Sequence, residues 1–460
     1  MSKKLELLMP AWDMEKLKFA YAYWADAVYV WAPMFSLRAR TNAFTMETLQ
    51  EAVDYAHNLW KKIYFTANIY AHNVKIKPFM AQFKKMYDMK PDAFIMSDPG
   101  LIHIVRREFP DAEIHLSVQA NNTNWAQAQF WEEIGIKRII LSREISIREM
   151  KEIHEAVPTM ELEAFVHGAI CMAYSGRCLI SNYLSNRDPN QGTCSHSCRW
   201  EFKVFKDEKS EAELETLTGR PEEYEELTGN FYLDEKERPG ELMEIDEDEY
   251  GTYLMNSRDL CAIDYIEDLK NAWIISFKVE GRNKTVNYIA SVWRAYREAI
   301  DAVERWEKYD VQKLADELFS IANRGYIPGF LAGNPGANAQ FYERNGGFQT
   351  KIFLWIIRNF DEGNRLARIE VKNKFNLGDD IEIITPEGIY TTKVETIKKI
   401  TTANNSTGRA WFRPEVYDAR LSEDATSAHG WGYEVWINMD KDYGEFAIIR
   451  KAVEWAVSKK

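Results

Sequence analysis

Cysteine is scarce in this chain, with only five among 460 residues. So few cysteines cannot form the disulfide framework of a secreted scaffold, and a reducing compartment would keep them as thiols. The chain also lacks an apolar run of the roughly 20 residues that a membrane-spanning helix needs. Its start, MSKKLELLMPAWDMEK, contains no apolar segment typical of a signal peptide. We therefore expect a cytoplasmic protein without a membrane partner.

Several motifs are missing as well. There is no HExxH sequence and no separate cysteine with convincing His and Asn partners, which argues against a metalloprotease or a cysteine protease. No glycine-rich phosphate loop follows the first predicted strand, so a doubly wound nucleotide-binding sheet is disfavoured. The absence of internal repeats and low-complexity tracts argues against a solenoid.

Basic residues are outnumbered overall, and the formal net charge is −13. The excess is local, because residues 207–250 contain 18 Asp and Glu against 4 Lys and Arg. The remainder is close to neutral and can carry a basic face. We interpret residues 207–250 as a solvated surface insert in preference to an acidic docking site.

Short apolar runs alternate with helix-like stretches through the first 281 residues, a pattern typical of parallel βα units. Eight such runs predict a TIM-barrel-like (β/α)8 domain. They are residues 5–10, 27–32, 62–68, 92–98, 114–120, 138–144, 161–168 and 274–281.

The predicted barrel domain occupies residues 1–345, with a cysteine-rich segment and the acidic insert between its last two strands, at residues 169–273. From about residue 350 the pattern changes to short alternating runs separated by turns such as NLGDD and PEG. This pattern predicts a small β-barrel-like domain over residues 346–460.

Polar residues recur where the predicted barrel strands end, which is the face where barrel enzymes place their working groups. Each of them alone is more typical of a cap or a loop hydrogen bond, but their recurrence favours a functional site. They are Asn68, Asp98, Gln119, Arg143, Glu144, His167, Glu280 and Arg282.

Four of the five cysteines, Cys171, Cys178, Cys194 and Cys198, lie in one turn-rich segment. Buried structural thiols, a zinc site and an iron–sulfur cluster are the three interpretations. Packing does not explain clustering in a loop, so the pattern favours a metal, with zinc and iron–sulfur both left open. Cys261 is either a core residue or a substitute for one of the four.

This segment closely resembles the signature of peptidase family U-32, the collagenase-like proteins. The resemblance extends over about residues 5–330 and includes FSLRAR, SVQANNTN, MNSRDLC, FKVEGR and NRGYIPGF. In the signature itself the matching residues are Glu163, Phe165, His167, Gly168, Ala169, Cys171, Ser175, Gly176, Arg177, Cys178, Ser181, Asn186, Arg187, Gly192, Cys194, Cys198 and Arg199. One departure is MPAWD at the start, where the family usually has a glycine after PA.

The resemblance implies an oxygen-independent hydroxylase with a 4Fe-4S cluster. Branches of the family act on transfer RNA, on ribosomal RNA and on a ubiquinone precursor. The chain length, the CxxxC pair and the β-rich C-terminal region resemble the tRNA branch, which forms 5-hydroxyuridine at the wobble position with prephenate as co-substrate. A peptidase, a hydroxylase of one of the other substrates and a non-enzymatic scaffold are the alternatives.

On this basis we expect the four clustered cysteines to bind the 4Fe-4S cluster. We assign catalytic roles to His167, Glu163 and Gln119. A dicarboxylate such as prephenate calls for cationic partners, and the candidates are Arg38, Arg40, Arg143, Arg258 and Arg282. Asn68 is a further candidate for binding the co-substrate. The expected macromolecular partner is tRNA, with residues 61–79 and the C-terminal domain as candidate contacts. The sequence does not identify an electron-transfer partner.

Overall fold

A computed structural model represents the chain. It describes residues 4–37, 42–199, 257–281, 284–335, 339, 348–400, 422–429 and 433–453, together with short strand segments between 205 and 252.

Eight parallel strands form a closed barrel. They are β1 (Glu6–Ala11), β2 (Ala27–Trp31), β3 (Lys62–Thr66), β4 (Ala93–Met96), β5 (Ile114–Leu116), β6 (Arg138–Ile140), β7 (Glu161–Ala169) and β15 (Ile274–Val279). Neighbouring strands pair in that order, and β15 closes the circle by pairing with both β1 and β7. All eight predicted strands and the TIM-barrel-like fold are confirmed.

Most residues of the barrel strands are apolar on both faces because side chains fill the interior and helices cover the exterior. All six residues of β1 are buried, for example, and so are all five of β2. One interior cluster includes Leu8, Tyr29, Ile95 and Phe165. The barrel is therefore a packed core.

Helices follow the strands, and most of them begin at side-chain caps. The carboxylate of Asp98 accepts hydrogen bonds from the backbone N–H groups of Gly100 and Leu101, and Ser146 and Glu149 form a capping box. The helices are α1 (Met14–Ala22), α2 (Met46–Asn58), α3 (Asn73–Asp88), α4 (Pro99–Glu108), α5 (Trp125–Glu133), α6 (Ile147–Ala156), α7 (Ile180–Ser185), α8 (Ile266–Asn271), α9 (Val286–Glu304) and α10 (Val311–Phe319). Within the described residues, none of them is long and apolar enough to span a bilayer.

The segment between β7 and β15 contains small strands. Three pairs lie in the region of the acidic insert: β8 (Phe205–Lys206) with β9 (Glu225–Glu226), β10 (Phe231–Leu233) with β11 (Met243–Ile245), and β12 (Glu247–Asp248) with β13 (Gly251–Thr252). Most of residues 207–250 lies outside the described residues, so the solvated insert stays a prediction. Next, β14 (Asp259–Cys261) runs antiparallel to the end of β7 and pairs with β16 (Tyr326–Ile327).

The C-terminal region forms a separate antiparallel sheet with its own apolar core. Its eight strands are β17 (Lys351–Asp361), β18 (Leu366–Val371), β20 (Asp380–Ile384), β21 (Ile389–Lys393), β22 (Ile397–Ile400), β23 (Ser422–Asp424), β25 (Tyr433–Asn438) and β26 (Ile448–Ala452); β19 (Phe375–Asn376) pairs with β24 (Ser427–Ala428). The β-rich domain is confirmed. In the described residues no pairing joins its end strands, β21 and β23, into a closed barrel.

This second sheet packs on the outer wall of the barrel. The hydroxyl of Tyr23 donates to the carbonyl oxygen of Ile384. The hydroxyl oxygen of Tyr23 also lies 3.0 Å from the carbonyl oxygen of Phe446. Arg450 is fully buried, and its guanidinium pairs with Glu317 of the barrel domain and with Glu382 of the sheet. Hydrogen bonds and buried ion pairs therefore fix the interface between the barrel and the second sheet.

Candidate functional site

Residues 170–199, here called the cysteine loop, lie over the C-terminal end of the barrel. The N–H of Tyr70, after β3, donates to the carbonyl oxygen of Asn190 at 3.2 Å, and the amide of Gln191 donates back to the Tyr70 carbonyl. The N–H and hydroxyl of Ser175 both reach the carboxylate of Glu144, after β6, at 2.8 and 3.0 Å. The loop is thus tied to two separate strand ends.

Two glycines allow the loop to approach the barrel so closely. Gly176 has a φ of +73°, and a Cβ there would lie 2.0 Å from the carbonyl oxygen of Gln119. Gly192 has a φ of +82°, and its Cβ would lie 2.6 Å from the carbonyl oxygen of Ser36. Both positions combine a left-handed backbone with direct backbone contact, which only glycine accommodates without strain.

The cysteine side chains of this loop remain thiols in the structure. Cys171 is exposed, and Cys178, Cys194 and Cys198 are partly buried. Burial raises the pKa of Cys178, the neighbouring Cys171 and Cys194 raise it further, and the N–H groups of residues 180 and 181 oppose the rise. Three of the four thiols are therefore close enough to interact electrostatically.

The donor set suits a soft metal centre. Thiolates bind zinc and iron–sulfur clusters, and backbone N–H groups that point at sulfur stabilise its negative charge. Besides the N–H contacts to Cys178, the N–H of His196 donates to the sulfur of Cys194 at 3.4 Å. Across the described residues, however, no three Cys, His, Asp or Glu side chains are arranged to hold a metal ion. Chemical analysis of the bound metal distinguishes zinc from iron–sulfur.

Cys261 lies beside a buried histidine. It pairs across the β14–β7 register with His167, and its sulfur lies 3.6 Å from the hydroxyl oxygen of Tyr296. Burial raises the pKa of the Cys261 thiol to about 11. The structure thus gives Cys261 a protonated, core-like environment.

His167 is fully buried among three tyrosine rings. Its Nδ1 lies 3.3 Å from the hydroxyl of Tyr296, its Nε2 lies 3.3 Å from the hydroxyl of Tyr326, and the ring of Tyr288 packs beside it. The Tyr296 hydroxyl also donates to the Val166 carbonyl oxygen at 2.7 Å. Since that hydroxyl has one proton, we assign the Nδ1–H tautomer. Nε2 then shares the single Tyr326 hydroxyl proton with the carbonyl oxygen of Leu318, which also lies 3.3 Å from that hydroxyl.

Burial, with a smaller contribution from the Lys284 charge, lowers the pKa of His167 to about 3. The imidazole is therefore neutral at pH 7, and each of its nitrogens lies 3.3 Å from a tyrosine hydroxyl. A proton-transfer role would require one of these hydrogen bonds to break, so the catalytic role of His167 stays a prediction.

Glu163 belongs to a charged network inside the barrel. Its carboxylate lies 2.7 Å from the amino group of Lys278 and 3.3 Å from the guanidinium of Arg138, which also pairs with Glu6. The hydroxyl of Ser276 donates to both carboxylates. Burial opposes ionisation of Glu163, but Lys278 and Arg138 prevail and lower its pKa. Its catalytic role stays a prediction. In the structure its carboxylate balances the positive charges of Lys278 and Arg138 inside the barrel.

Arg143, after β6, is a predicted arginine that lies at the barrel mouth. Its guanidinium donates to the carbonyl oxygen of Ala169 at 2.8 Å and to Glu280 at 2.7 Å, and it stacks 3.9 Å above the ring of Phe165. Its Nε–H is buried and has no hydrogen-bond partner among the described residues. A ligand oxygen would satisfy this donor.

The other predicted residues differ in position. Asn68 is buried, accepts from the N–H of Leu37 and donates to Ser117, so it holds the chain that leads into Arg38. Gln119 offers its carbonyl oxygen to Tyr70 at 2.7 Å and supports Gly176. Arg258 lies just before β14. Arg38, Arg40 and Arg282 lie outside the described residues.

Sequence reasoning missed the charged network inside the barrel. It also missed the three tyrosines that surround His167, here called the tyrosine cage. The signal for the network was present, because Glu6, Arg138 and Lys278 are charged residues within otherwise apolar strands. The cage had no comparable signal, since Tyr288 and Tyr296 on α9 and Tyr326 on β16 are all distant in sequence from His167.

Two family descriptions match the chain. "Peptidase family U32" matches residues 12–341, and "Peptidase family U32 C-terminal domain" matches residues 349–450. The tRNA hydroxylation protein P of Escherichia coli is 42% identical over 453 residues, which are 95% of this chain and 94% of that protein.

Two further relatives carry other names. A 23S rRNA 5-hydroxycytidine synthase of Escherichia coli is 30% identical over 303 residues, covering 66% of this chain and 40% of that protein. A collagenase of Porphyromonas gingivalis is 26% identical over 410 residues, covering 85% and 90%.

Proposed function

The chain belongs to peptidase family U32, and on that premise we propose that it is a tRNA-modifying hydroxylase that forms 5-hydroxyuridine at the wobble position. The observation that carries the proposal is the match to tRNA hydroxylation protein P at 42% identity over nearly both whole chains, C-terminal domain included. The rRNA synthase match is weaker and covers only 40% of that enzyme, and the collagenase match falls to 26% identity.

We propose that Cys171, Cys178, Cys194 and Cys198 hold a 4Fe-4S cluster. When bound, such a cluster supplies electron transfer, which side chains cannot provide for ring hydroxylation. The cysteine loop contributes by fixing sulfur donors above the barrel mouth and by aiming backbone N–H groups at them. Gly176 and Gly192 hold the loop against the strand ends, so these four cysteines would hold a cluster at that end of the barrel.

We also propose that prephenate, a dicarboxylate, binds at the mouth beside Arg143. This guanidinium is pre-positioned by Phe165 and Glu280 and keeps a buried Nε–H without a described partner. A planar guanidinium binds carboxylates through paired N–H groups, which suits this donor. Arg38, Arg40, Arg258 and Arg282 remain candidates for the second carboxylate.

The function is tested by mass spectrometry of nucleosides in a strain that lacks this gene. We expect 5-hydroxyuridine and its derivatives to disappear from tRNA and to return with the wild-type gene. Replacing all four loop cysteines with alanine should abolish the rescue. Unchanged tRNA with altered ribosomal RNA, or with gelatin digestion by the purified protein, would instead support one of the alternatives.

The metal is tested by anaerobic purification of single Cys→Ala variants. We expect iron, sulfide and visible absorbance to be lost when any of the four loop cysteines is replaced. Cys261→Ala is the matched control, because Cys261 lies in the tyrosine cage, and it should retain iron. A colourless wild-type protein loaded with zinc would contradict the iron–sulfur proposal.

A further inference from the structure

The cysteine loop exposes an unusual amount of apolar and aromatic surface. Tyr183 is 89% exposed, Leu179 is 68% exposed and Tyr174 is 60% exposed. Met172 and Leu184 of the same loop are also exposed. Exposed apolar side chains that concentrate in one segment indicate an interaction surface.

This surface is basic, although the chain as a whole has a net charge of −13. Asp188 is the only acidic residue in the sequence of the loop, which contains three arginines, and its carboxylate caps the N–H of Asn190. Arg177 and Arg187 are both exposed. The charge balance therefore favours an anionic partner.

The beginning of α3 extends the same surface. Tyr70 and Asn190 join the two segments, and the amino group of Lys75 donates to the side-chain oxygen of Gln191 at 2.6 Å. His72, Val74 and Lys77 are exposed beside this junction. Apolar and cationic side chains thus alternate around the rim that carries the cysteines.

We propose that Tyr174 and Tyr183 are stacking positions for unpaired bases of an RNA loop, with Arg177, Arg187 and Lys77 next to its phosphates. This inference rests on the proposed function and names the surface through which the same site would recognise its substrate. Aromatic side chains stack on bases that are not already stacked in a duplex, and cations track the backbone. A single-stranded loop, such as an anticodon loop, therefore fits this rim better than an RNA helix does.

The test compares stacking with mere bulk. Full-length, iron-loaded Tyr183→Leu and Tyr174→Leu proteins are measured for binding to an anticodon stem-loop by fluorescence anisotropy. Because a base–aromatic stack is lost, each change should weaken binding by about 5- to 150-fold. Tyr183→Phe and Tyr174→Phe should bind like the wild type. Trp60→Leu is the matched control, since Trp60 is 96% exposed and lies between α2 and β3, at the other end of the barrel.

The outcomes separate this inference from the proposed function. If the leucine variants bind the stem-loop like the wild type while tRNA from the deletion strain lacks 5-hydroxyuridine, the stacking surface is overturned and the function stands. If deletion leaves tRNA unchanged, the function itself fails. Loss of iron along with RNA binding in the leucine variants would assign these tyrosines to the fold of the loop and would also overturn the inference. Equal weakening by Trp60→Leu would do the same.

Discussion

Gly176→Ala should disable the site while leaving the barrel folded. An L-residue in a left-handed backbone costs about 1–2 kcal/mol, and the φ of +73° at Gly176 incurs that cost. In addition, the new Cβ would lie 2.0 Å from the Gln119 carbonyl oxygen, whereas Cβ contacts essentially never fall below 3.0 Å. The loop must therefore retreat by roughly 1 Å or more.

The retreat should detach the loop in preference to unfolding the barrel. Ser175, the preceding residue, makes two hydrogen bonds to the carboxylate of Glu144, and a hydrogen bond to a charged group contributes about 1.5–3 kcal/mol. These bonds are weaker together than the barrel core, so they should break first. Iron retention and tRNA hydroxylation should then fall by at least about tenfold, which corresponds to a loss of about 1.4 kcal/mol.

Gly444→Ala is the control. Gly444 has a φ of +83°, but a Cβ there would meet nothing within 4 Å. Both variants should lower the thermal midpoint by a similar, small amount, measured by calorimetry. Iron per chain and 5-hydroxyuridine in tRNA should fall only in Gly176→Ala. If Gly176→Ala keeps the iron and activity of Gly444→Ala, the close contact does not hold the site, and this reasoning is refuted.

Three further predictions concern buried charges and are checked by urea unfolding. His167→Gln should flatten the dependence of the free energy of unfolding on pH. The pKa of His167 is about 3 in the folded protein and near 6.5 in the unfolded chain, so the wild-type free energy of unfolding is highest above pH 6.5 and falls by roughly 1.4 kcal/mol per pH unit as the pH drops towards 3. Equal slopes in the two proteins would contradict this prediction. Arg450→Met should cost about 3–5 kcal/mol because two carboxylates lose a buried partner, and a cost below about 1 kcal/mol would argue against a fixed interface. Lys278→Met and Glu163→Leu should each lower the free energy of unfolding. The loss in the double variant should be at least about 1 kcal/mol smaller than the sum of the two single losses. Equal values would show that the pair is not coupled.

The strand pattern was sufficient to predict the barrel. Each predicted strand was a short apolar run followed by a polar residue, and helices separated most of them, so the parallel order followed from the alternation. Closure between β7 and β15 across more than a hundred intervening residues was also predicted, since eight strands complete a barrel. The sheet of the C-terminal domain was predicted as β, but its order was not, because antiparallel pairing partners are set by tertiary packing.

The site was less predictable than the fold. The sequence placed the cysteine loop at the barrel mouth, but the contacts that hold it there, such as Ser175 with Glu144, depend on loop conformations that periodicity does not encode. His167 follows the same strand pattern as an inward residue, yet a register irregularity between Phe165 and His167 leaves it among tyrosines from other segments. Local bulges of this kind are invisible to an alternation argument.

The pairing of β15 with both β1 and β7 sets an order of events during translation. Until residues 274–279 emerge from the ribosome, the barrel cannot close, because β1 and β7 both lack the strand with which they pair. The four cysteines of the cysteine loop are translated well before β15. We therefore expect a nascent chain stalled before residue 274 to present accessible loop thiols and unpaired strand edges.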